Sequence, residues 1–306
     1  MATSKRMGVF MASIMAIIWG LSFLSIKTAV VVVPPMSLGL ARFIIACAVL
    51  LLILVASRRF PHLAMRDLPL MAISGLVGVT LYFLGENNGV LRLSASEASI
   101  IIGTIPVLTM LAERLFTKAR LTGRQYLGAL LSALGVSLIV VESLRLSPAP
   151  LGYLFMLIAA LSWVAYAFLT KPLLASYDSL VISFWQNAFG ALGFIPFVLT
   201  EHVQWTAITQ VIAANVLYLG IFCSAIGYLF YVISLRVLGP SVSSVFINLI
   251  PVVSVAASFV ILGERLSTLQ LAGGAVTIGG VYLASLADGR KKVRRNADPP
   301  ETSISV

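Results

Sequence analysis

The chain has 306 residues, of which 59% are hydrophobic and only 10% are charged, and its mean hydropathy is +1.03. Soluble domains carry about 25% charged residues, so this composition excludes an ordinary soluble protein and favours an integral membrane protein. The formal net charge of +10 could suggest a nucleic-acid partner. The distribution of the basic residues, described below, predicts no nucleic-acid binding.

Ten apolar runs follow one another along the chain, each close to the roughly 20 residues that cross about 30 Å of hydrocarbon. The first run follows Lys5 and Arg6, but it is long for a signal peptide and lacks a clear cleavage site, so we expect it to be retained. The connections are short, which predicts antiparallel neighbours. The predicted spans are 7–26, 36–57, 68–91, 94–115, 124–142, 151–170, 179–200, 211–235, 241–263 and 268–286.

The sequence repeats itself at an offset of 144 to 145 residues. Residues 16–27 read AIIWGLSFLSIK and residues 160–171 read ALSWVAYAFLTK, so that Trp19 corresponds to Trp163 and Lys27 to Lys171. Further on, 93–109 matches 238–254 and aligns Pro106 with Pro251. One unit of five apolar runs therefore occurs twice.

Because five is odd, the second unit must enter the membrane from the opposite side, which is typical of secondary transporters. We predict an all-α integral membrane protein with ten transmembrane helices as two inverted five-helix repeats, 7–142 and 151–286. The polar tail 287–306 is predicted to be disordered and basic.

The lysines and arginines predict the orientation. With the amino terminus inside, fifteen of them fall in inner segments and four in outer segments, which predicts that both termini are cytoplasmic. This bias explains the net charge. The basic run 290–295 is expected either to contact anionic lipid or to act as a plain stop signal.

Motifs for catalysis and for metal binding are absent from the sequence. There is no P-loop, GxSxG or HExxH motif, and His62 and His202 fall in loops predicted on opposite faces. Cys47 and Cys223 lie inside apolar runs without CxxC spacing. We therefore expect no enzyme activity, no metal and no cofactor; a membrane-embedded lipid-modifying enzyme and a channel remain the alternatives of another class.

The motifs together resemble the drug/metabolite transporter superfamily, and its EamA-type members in particular. The likeness covers about 8–286 and rests on the order, spacing and duplication of short motifs. One departure is that Gly-Glu-Arg-Leu at 263–266 corresponds to Lys-Ala-Arg-Leu at 118–121, while Glu113 comes earlier. The other motif residues are Trp19-Gly20 to Lys27, Pro35, Ala41-Arg42-Phe43, Ser94 to Ser99, Pro106, Pro251, Gln270, Gly273 and Gly279-Gly280-Val281.

The resemblance implies export or exchange of small metabolites, amino acids or drugs across the inner cell membrane. It also implies a central cavity lined by spans 1, 3, 4, 6, 8 and 9, with spans 5 and 10 packed behind it. The residues of spans 5 and 10 fit that arrangement, since glycines allow close helix packing in lipid. These glycines are Gly128, Gly135, Gly273, Gly274, Gly279 and Gly280.

Three charged residues fall inside predicted spans, where a charge usually faces a cavity or a partner. Arg42, Glu86 and Glu97 are all expected in one outer layer. We predict a contact of Arg42 with Glu86 or with Glu97. This contact would be either a structural clasp between helices or a gate that responds to protons.

Polar residues and prolines in the spans predict further parts of a substrate cavity. Asn87 follows Glu86 and is expected either at the cavity or bonded to a neighbouring helix. Asn248 precedes Pro251, and Gly103 precedes Pro106. Proline frees a carbonyl within the span, and paired helix breaks in two halves indicate a substrate site.

Aromatic residues deep in the spans are candidates to line the cavity. They are Trp19, Tyr82, Trp163, Tyr166, Tyr228 and Tyr231, and the alternative for such residues is the interfacial belt. Gln186, with Trp185 and Asn187, corresponds to the Arg42 region and is expected either at the opposite gate or in ordinary packing. Lys27 and Lys171 are expected either to reach the interface with their ammonium groups or to take part in a gate.

These observations predict a secondary transporter that moves a small metabolite, such as an amino acid or a similar amphipathic solute, by alternating access. Export or exchange is favoured, with protons as a candidate coupling ion. A multidrug or quaternary-cation efflux carrier is the alternative. We expect a monomer or a weak dimer.

Overall fold

Helices form all the regular structure that can be described in this chain. The structure is a computed structural model and describes residues 4–30, 32–93, 98, 101–117, 121–141, 148–262 and 267–286. No strand occurs among these residues. The tail 287–306, Glu97 and the segment 263–266 lie outside the described residues.

The first half contains two long helices followed by an interrupted one. A short 3₁₀ turn, Met65–Asp67, precedes α3, and a π-helical stretch, Leu76–Leu81, joins α3 to α4. The helices of this half are α1 (Lys5–Val30), α2 (Pro35–Ala56), α3 (Leu68–Gly75), α4 (Tyr82–Val90), α5 (Ile105–Thr117) and α6 (Gly123–Val140).

The second half repeats the order of the elements described for the first half. It has in addition a 3₁₀ turn and a short helix, α11 (Pro240–Val245), whose equivalent positions in the first half lie mostly outside the described residues. A second π-helical stretch, Leu219–Gly227, joins α9 to α10, and a 3₁₀ turn, Phe246–Asn248, joins α11 to α12. Its helices are α7 (Pro150–Ser176), α8 (Ser179–Val198), α9 (Gln210–Tyr218), α10 (Tyr228–Leu238), α11 (Pro240–Val245), α12 (Leu249–Leu262) and α13 (Thr268–Leu286).

Nine helical stretches of the described residues are long and apolar enough to cross a membrane, and each corresponds to one predicted span. The predicted span 94–115 is the exception, because of it only residue 98 and residues 101–115 are described. The multi-pass helical architecture is therefore as expected, whereas the count of ten spans stays a prediction.

The last helix of each half begins with the same local structure. In α6, the Thr122 hydroxyl accepts from the Gln125 backbone N–H (3.4 Å) while the Gln125 side chain accepts from the Thr122 N–H (2.8 Å). Ser267 and Gln270 form the same reciprocal pair at the start of α13. This capping box satisfies two backbone donors that a helix otherwise leaves unpaired.

The two last helices also pack closely against each other. A Cβ atom built on Gly128 would lie 2.6 Å from the Gly280 carbonyl oxygen, and one on Gly135 would lie 2.6 Å from the Gly273 oxygen. Because later residues of α6 meet earlier residues of α13, the helices run antiparallel. We call this contact between α6 and α13, at Gly128, Gly135, Gly273 and Gly280, the glycine seam. An offset of 145 residues converts the Gly128–Gly280 contact into the Gly273–Gly135 contact, so the seam has two-fold pseudosymmetry.

The prediction that all six glycines serve this packing is wrong for two of them. A Cβ atom on Gly279 would meet nothing within 4 Å, and one on Gly274 would meet only a Val252 methyl at 3.7 Å. Both glycines point away from the seam.

The two ends of the described bundle lie on one face, because the Lys5 ammonium donates to the Leu286 carbonyl (3.4 Å). We call this the terminal face and the other one the opposite face. At the opposite face, the Glu201 carboxylate accepts from the backbone N–H groups of Met36 (3.0 Å) and Ser37 (2.7 Å) and so caps α2. At the terminal face, Asp178 caps α8 through Leu180 (2.9 Å) and pairs with Arg59 (2.8 Å).

Candidate functional site

A cavity of about 820 Å³, including its opening, lies between the two halves. Its walls come from predicted spans 1, 3, 4, 6, 8 and 9, and from span 2 through Arg42. It extends from the middle of the bundle towards Ile26, Val90 and Ala98 on the opposite-face side. The lining residues are Trp19, Ser22, Ile26, Arg42, Tyr82, Phe83, Glu86, Val90, Ala98, Ile102, Gly103, Ile105, Met156, Trp163, Tyr228, Ile247, Asn248, Ile250 and Pro251.

Seven of the ten residues predicted for the cavity line it. Three do not. The Asn87 amide donates to the Pro35 carbonyl (3.0 Å) and ties α4 to the start of α2. Tyr166 and Tyr231 are fully buried behind the wall. The seven lining residues are Trp19, Tyr82, Glu86, Gly103, Trp163, Tyr228 and Asn248.

Aromatic rings form the floor of the cavity at mid-bundle. The symmetry-related rings of Trp19 and Trp163 meet edge to face, with centroids 5.3 Å apart. Tyr82 lies 5.0 Å from Trp163, and Tyr231 supports Trp163 from behind at 4.7 Å. Such edge contacts between rings are favourable because the positive edge of one ring meets the negative face of the other.

The two π-helical stretches place backbone carbonyls against this floor. The Trp19 indole N–H donates to the Cys223 carbonyl (3.0 Å) in the second stretch. In the first stretch, the Tyr228 hydroxyl donates to the Gly78 carbonyl (3.1 Å). A π-helical turn widens the helix and leaves carbonyls available to side chains, and such turns are frequent at functional sites.

Glycine is required where the first π-helical stretch meets the aromatic cluster. A Cβ atom on Gly78 would lie 2.1 Å from the Tyr166 ring. No sequence pattern indicated these π-helical stretches; the glycines at Gly78, Gly220 and Gly227 are the residues that could have suggested close packing there.

Two buried polar atoms of cavity residues have no hydrogen-bond partner: the Trp163 indole nitrogen and the Asn248 amide oxygen. The Asn248 amide nitrogen does donate, to the Ser132 hydroxyl (2.9 Å). Its oxygen faces Gly103, where a built Cβ atom would lie 3.8 Å away. Unpaired polar groups are costly in apolar surroundings, and both atoms belong to residues of the cavity wall.

Arg42 is only 5% exposed and is one of the residues that line the cavity. Its Nε donates to the Ser224 hydroxyl (2.8 Å), and its guanidinium carbon lies 4.6 Å from the centre of the Phe83 ring. Arg42 and Glu86 form no salt bridge in this structure, so the predicted contact of Arg42 with Glu86 or Glu97 stays a prediction. Packing against Phe83 and bonding to Ser224 hold the guanidinium elsewhere. The alternative partner, Glu97, lies outside the described residues.

Glu86 lines the cavity with one hydrogen bond, in which its Oε1 accepts from the Tyr82 hydroxyl (2.9 Å). Tyr82 precedes Glu86 by four residues, so both side chains lie on one face of α4. The same pairing fixes the Tyr82 ring beside Trp163.

Gln186 is fully buried and lies outside the cavity lining. Its side chain accepts from the Tyr166 hydroxyl (2.8 Å) and donates to Ser74 and Thr170 (2.9 Å each). In this structure it therefore joins three helices as a packed polar core. Its predicted gate role stays a prediction.

Glu113 joins both halves near the terminal face. Its carboxylate pairs with the Lys171 ammonium (3.2 Å) and accepts from the Ser241 hydroxyl (2.5 Å). Glu113 is 8% exposed. The expectation that Lys171 merely reaches the interface is incomplete, because its ammonium has this acidic partner. The shifted position of Glu113 in the sequence had concealed the contact.

Both predicted helix breaks coincide with irregular backbone. A turn at Thr104 precedes α5, in which Pro106 is the second residue. The 3₁₀ turn Phe246–Asn248 precedes α12, in which Pro251 is the third residue. Pro251 lines the cavity, whereas Pro106 is buried outside it.

A polar cluster closes the terminal face outside the spans. The Tyr177 hydroxyl donates to Asp67 (2.7 Å) and accepts from the Ala64 N–H (3.1 Å). The hydrogen bond to Asp67 raises the pKa of Tyr177, because losing the proton would break it. No group of three or more metal-ligating side chains occurs in the described part of the chain.

The EamA-like transporter family matches residues 6–141 and 150–286, which together are most of the chain. The chain therefore belongs to this family, and it is a multi-pass membrane transporter rather than an enzyme. The two matched segments correspond to the two halves of the helical bundle.

Several relatives have names that indicate transport. A protein of Streptantibioticus cattleyicolor named "Probable terminal-alkyne amino-acid exporter" is 32% identical over 77% of this chain and 78% of its own. A "Probable amino-acid metabolite efflux pump" of Salmonella typhimurium is 26% identical over 91% of this chain and 95% of its own. An "Uncharacterized transporter" of Archaeoglobus fulgidus is 27% identical over 87% and 94%.

A crystal structure of similar fold aligns with a TM-score of 0.78 and 20% sequence identity. It covers 91% of this chain and 96% of the other. At this identity, the likeness shows the fold alone.

Proposed function

We propose that this protein is a secondary transporter that moves a small metabolite, such as an amino acid or a similar amphipathic solute, across the cell membrane by alternating access. Export or exchange is the proposed direction. Both termini lie in the cytoplasm in this proposal, and the two halves form inverted five-helix repeats.

The observation that carries the proposal is the cavity between the halves. Its floor consists of symmetry-related residues, Trp19 with Trp163 and Gly103 with Asn248. Beyond the floor, towards the terminal face, buried side chains of both halves bond to each other through Glu113 and Gln186. A cavity that opens towards one face and is closed towards the terminal face suits a carrier whose two halves move relative to each other.

The inverted repeat is supported by three features of the described helices. The capping boxes recur at equivalent positions, and the glycine contacts of α6 and α13 exchange under the same offset. Lys5 and Leu286 meet at one face. A chain whose ends share a face crosses an even number of times, which the nine candidate spans and one further span would satisfy.

The relatives support the proposed substrate class, since two of them are named for amino acids or amino-acid metabolites. A quaternary-cation efflux carrier is the second candidate. It is favoured by the Glu86 carboxylate beside the rings of Tyr82 and Trp163, because rings and carboxylates attract cations. The Arg42 guanidinium in the same cavity disfavours it.

Counterflow in proteoliposomes tests the transport proposal. Vesicles containing the purified protein would be loaded in turn with each of the twenty amino acids, with quaternary amines and with sugars, and uptake of the same labelled solute would be followed. We expect saturable exchange of at least one solute, absent from protein-free vesicles. Ion currents at channel rates, or no exchange of any solute, would contradict the carrier.

Proton coupling belongs to the proposal and has its own test. Exchange driven by a proton gradient would show a pH profile, and Glu86→Gln and Glu97→Gln would flatten it if either carboxyl group carries the proton. An unchanged profile in both variants would remove the coupling role from these residues. The proposed lipid contact of the basic run 290–295 is tested by comparing transport in vesicles with and without anionic lipid. Light scattering of the purified protein tests whether it is a monomer or a weak dimer.

A further inference from the structure

We infer that the cavity binds a zwitterionic solute, with its carboxylate at Arg42 and its ammonium at Glu86. The charged end of the solute then lies nearer the opposite face, and its apolar part lies on the rings of Trp19 and Trp163. This inference rests on the proposed transport function and assigns the two ends of the solute to particular side chains.

The carboxylate end follows from the state of Arg42. A guanidinium has five N–H donors, and only the Nε donor of Arg42 bonds to another described residue, Ser224. No carboxylate among the described residues lies within salt-bridge distance of it. A buried cation without an anionic partner is strongly unfavourable in a membrane, even when it stacks on a ring as Arg42 does on Phe83. No described residue supplies that anionic partner; a bound carboxylate would supply it and accept from the terminal nitrogens together.

The ammonium end follows from Glu86. Its Oε1 accepts one hydrogen bond, from the Tyr82 hydroxyl, and its Oε2 bonds to no other described residue. Because Arg42 and Glu86 line one cavity without pairing, the cavity presents opposite charges at two separate points. A solute that carries both an ammonium and a carboxylate fits this arrangement better than a cation or an anion alone.

The depth of the residues gives the direction of the solute. Arg42 lies seven residues from the start of α2 and Glu86 four from the end of α4, which is about 10 Å and about 6 Å below the opposite face at 1.5 Å per residue. Trp163 lies thirteen residues from the start of α7, about 20 Å deep. The charged groups are therefore nearer the face, and the apolar side chain points to the middle of the bundle.

The test compares matched solutes that differ in one charge. Counterflow of L-phenylalanine, L-leucine and L-methionine is competed with each amino acid, with its amide, which lacks the carboxylate, and with its desamino acid, which lacks the ammonium. For each amino acid that exchanges, we expect the amide and the desamino acid to compete at least about tenfold more weakly, as for loss of a charge-assisted hydrogen bond.

The variants should then split the two preferences. In Arg42→Gln the amide should compete nearly as well as the amino acid, while the desamino acid stays weak. In Glu86→Gln the pattern should be reversed, and Arg42→Lys should keep part of the preference because it keeps the charge. Arg92→Gln is the matched control, since Arg92 is exposed outside the cavity and bonds to Asn88; it should change neither ratio.

The remaining possible results would contradict either the assignment of the two charged ends or the transport proposal. If the amide or the desamino acid competes as well as the amino acid in the unmodified protein, the assignment is wrong whether or not the variants fold. It is also wrong if Arg42→Gln keeps full preference for the carboxylate. Exchange of sugars or quaternary amines without any of the three amino acids would overturn the zwitterion and leave transport standing. No exchange of any solute would overturn the transport proposal itself.

Discussion

The two halves share a scaffold, but equivalent positions in them carry different chemistry. Arg42 and Glu86 of the first half line the cavity. Their counterparts in the second half are Gln186 or Asn187 and, at an offset of 145, Tyr231; all three are buried, and Gln186 and Asn187 bond within the protein. At these equivalent positions, the first half carries two charged side chains and the second half carries uncharged ones.

The tryptophans on the pseudo-axis differ in the same way. Trp19 donates to the Cys223 carbonyl, whereas the Trp163 indole nitrogen has no partner. At an offset of 145, the carbonyl equivalent to that of Cys223 belongs to Gly78, and the Tyr228 hydroxyl already occupies it. The Tyr228 hydroxyl therefore makes the two tryptophans differ in hydrogen bonding, although their positions are equivalent.

Breaking the seam between the halves should have the largest effect. In Gly135→Ala the new Cβ would lie 2.3 Å from the Thr277 hydroxyl oxygen, so we expect the helices to separate and the protein to lose about 1–3 kcal/mol of stability. Thermal unfolding in detergent measures this loss. Gly279→Ala is the matched control, because nothing lies within 4 Å of its Cβ. Equal melting temperatures for the two variants would contradict the seam.

Neutralising Glu113 should loosen the sealed layer near the terminal face. Glu113→Gln keeps an oxygen for Ser241 but loses the ion pair with Lys171. Since Lys171 is partly exposed, we expect the loss of the ion pair to lower the free energy of opening this layer by about 1 kcal/mol. A cysteine placed at the buried Ser74 should then be modified roughly fivefold faster. The measurement uses maleimide labelling in a background with Cys47 and Cys223 replaced. Asp67→Asn, which removes a different carboxylate near the terminal face, should leave the rate unchanged. An unchanged rate in Glu113→Gln would show that the Glu113–Lys171 pair does not close this layer.

Replacing each tryptophan by phenylalanine should reveal the difference between Trp19 and Trp163. Trp19→Phe loses a hydrogen bond and Trp163→Phe does not, so Trp19→Phe should be less stable by about 1 kcal/mol. In Tyr228→Phe the Gly78 carbonyl becomes free, and the Trp163 indole should then protect its proton from solvent exchange. NMR of the indole N–H groups checks both expectations. Indistinguishable tryptophans in the unmodified protein would refute the difference.

The smallest effect concerns pH at the terminal face. The bond to Asp67 raises the folded-state pKa of Tyr177 above the ordinary value of about 10. A raised pKa means that its contribution to stability is present below that ordinary value and is lost as the pH rises through the folded-state pKa. Melting temperatures in alkaline buffers should therefore fall slightly less in Tyr177→Phe than in the unmodified protein. A steeper fall in the variant would show the opposite sign.

Much of the fold was predictable because the bilayer requires long apolar helices and the repeat requires two similar halves. Hydropathy alone located nine of the spans to within a few residues, except that α7 extends to Ser176, six residues past the predicted end at 170, and α1 to Val30, four past 26. Gly103 and Asn248, and Trp19 and Trp163, were indicated because they were equivalent and unusual in such helices.

The direction of each side chain was not predictable in the same way. Helices that are apolar on every side show no amphipathic period, so nothing in the sequence placed Tyr166 and Tyr231 behind the wall instead of in it. The π-helical stretches shift the faces of both interrupted helices, and they have no residue signature here. Arg42 bonds to Ser224 at a separation of 182 residues, which only the packed structure brings together.

The glycine seam has a consequence for substitutions along it. Gly128 faces Gly280 while Gly135 faces Gly273, so each of the two helices contributes the same pair of residues. The contact surface is therefore self-complementary at these four glycines. A larger residue at any one of them would meet the backbone of the facing helix, and each such collision has an equivalent 145 residues away.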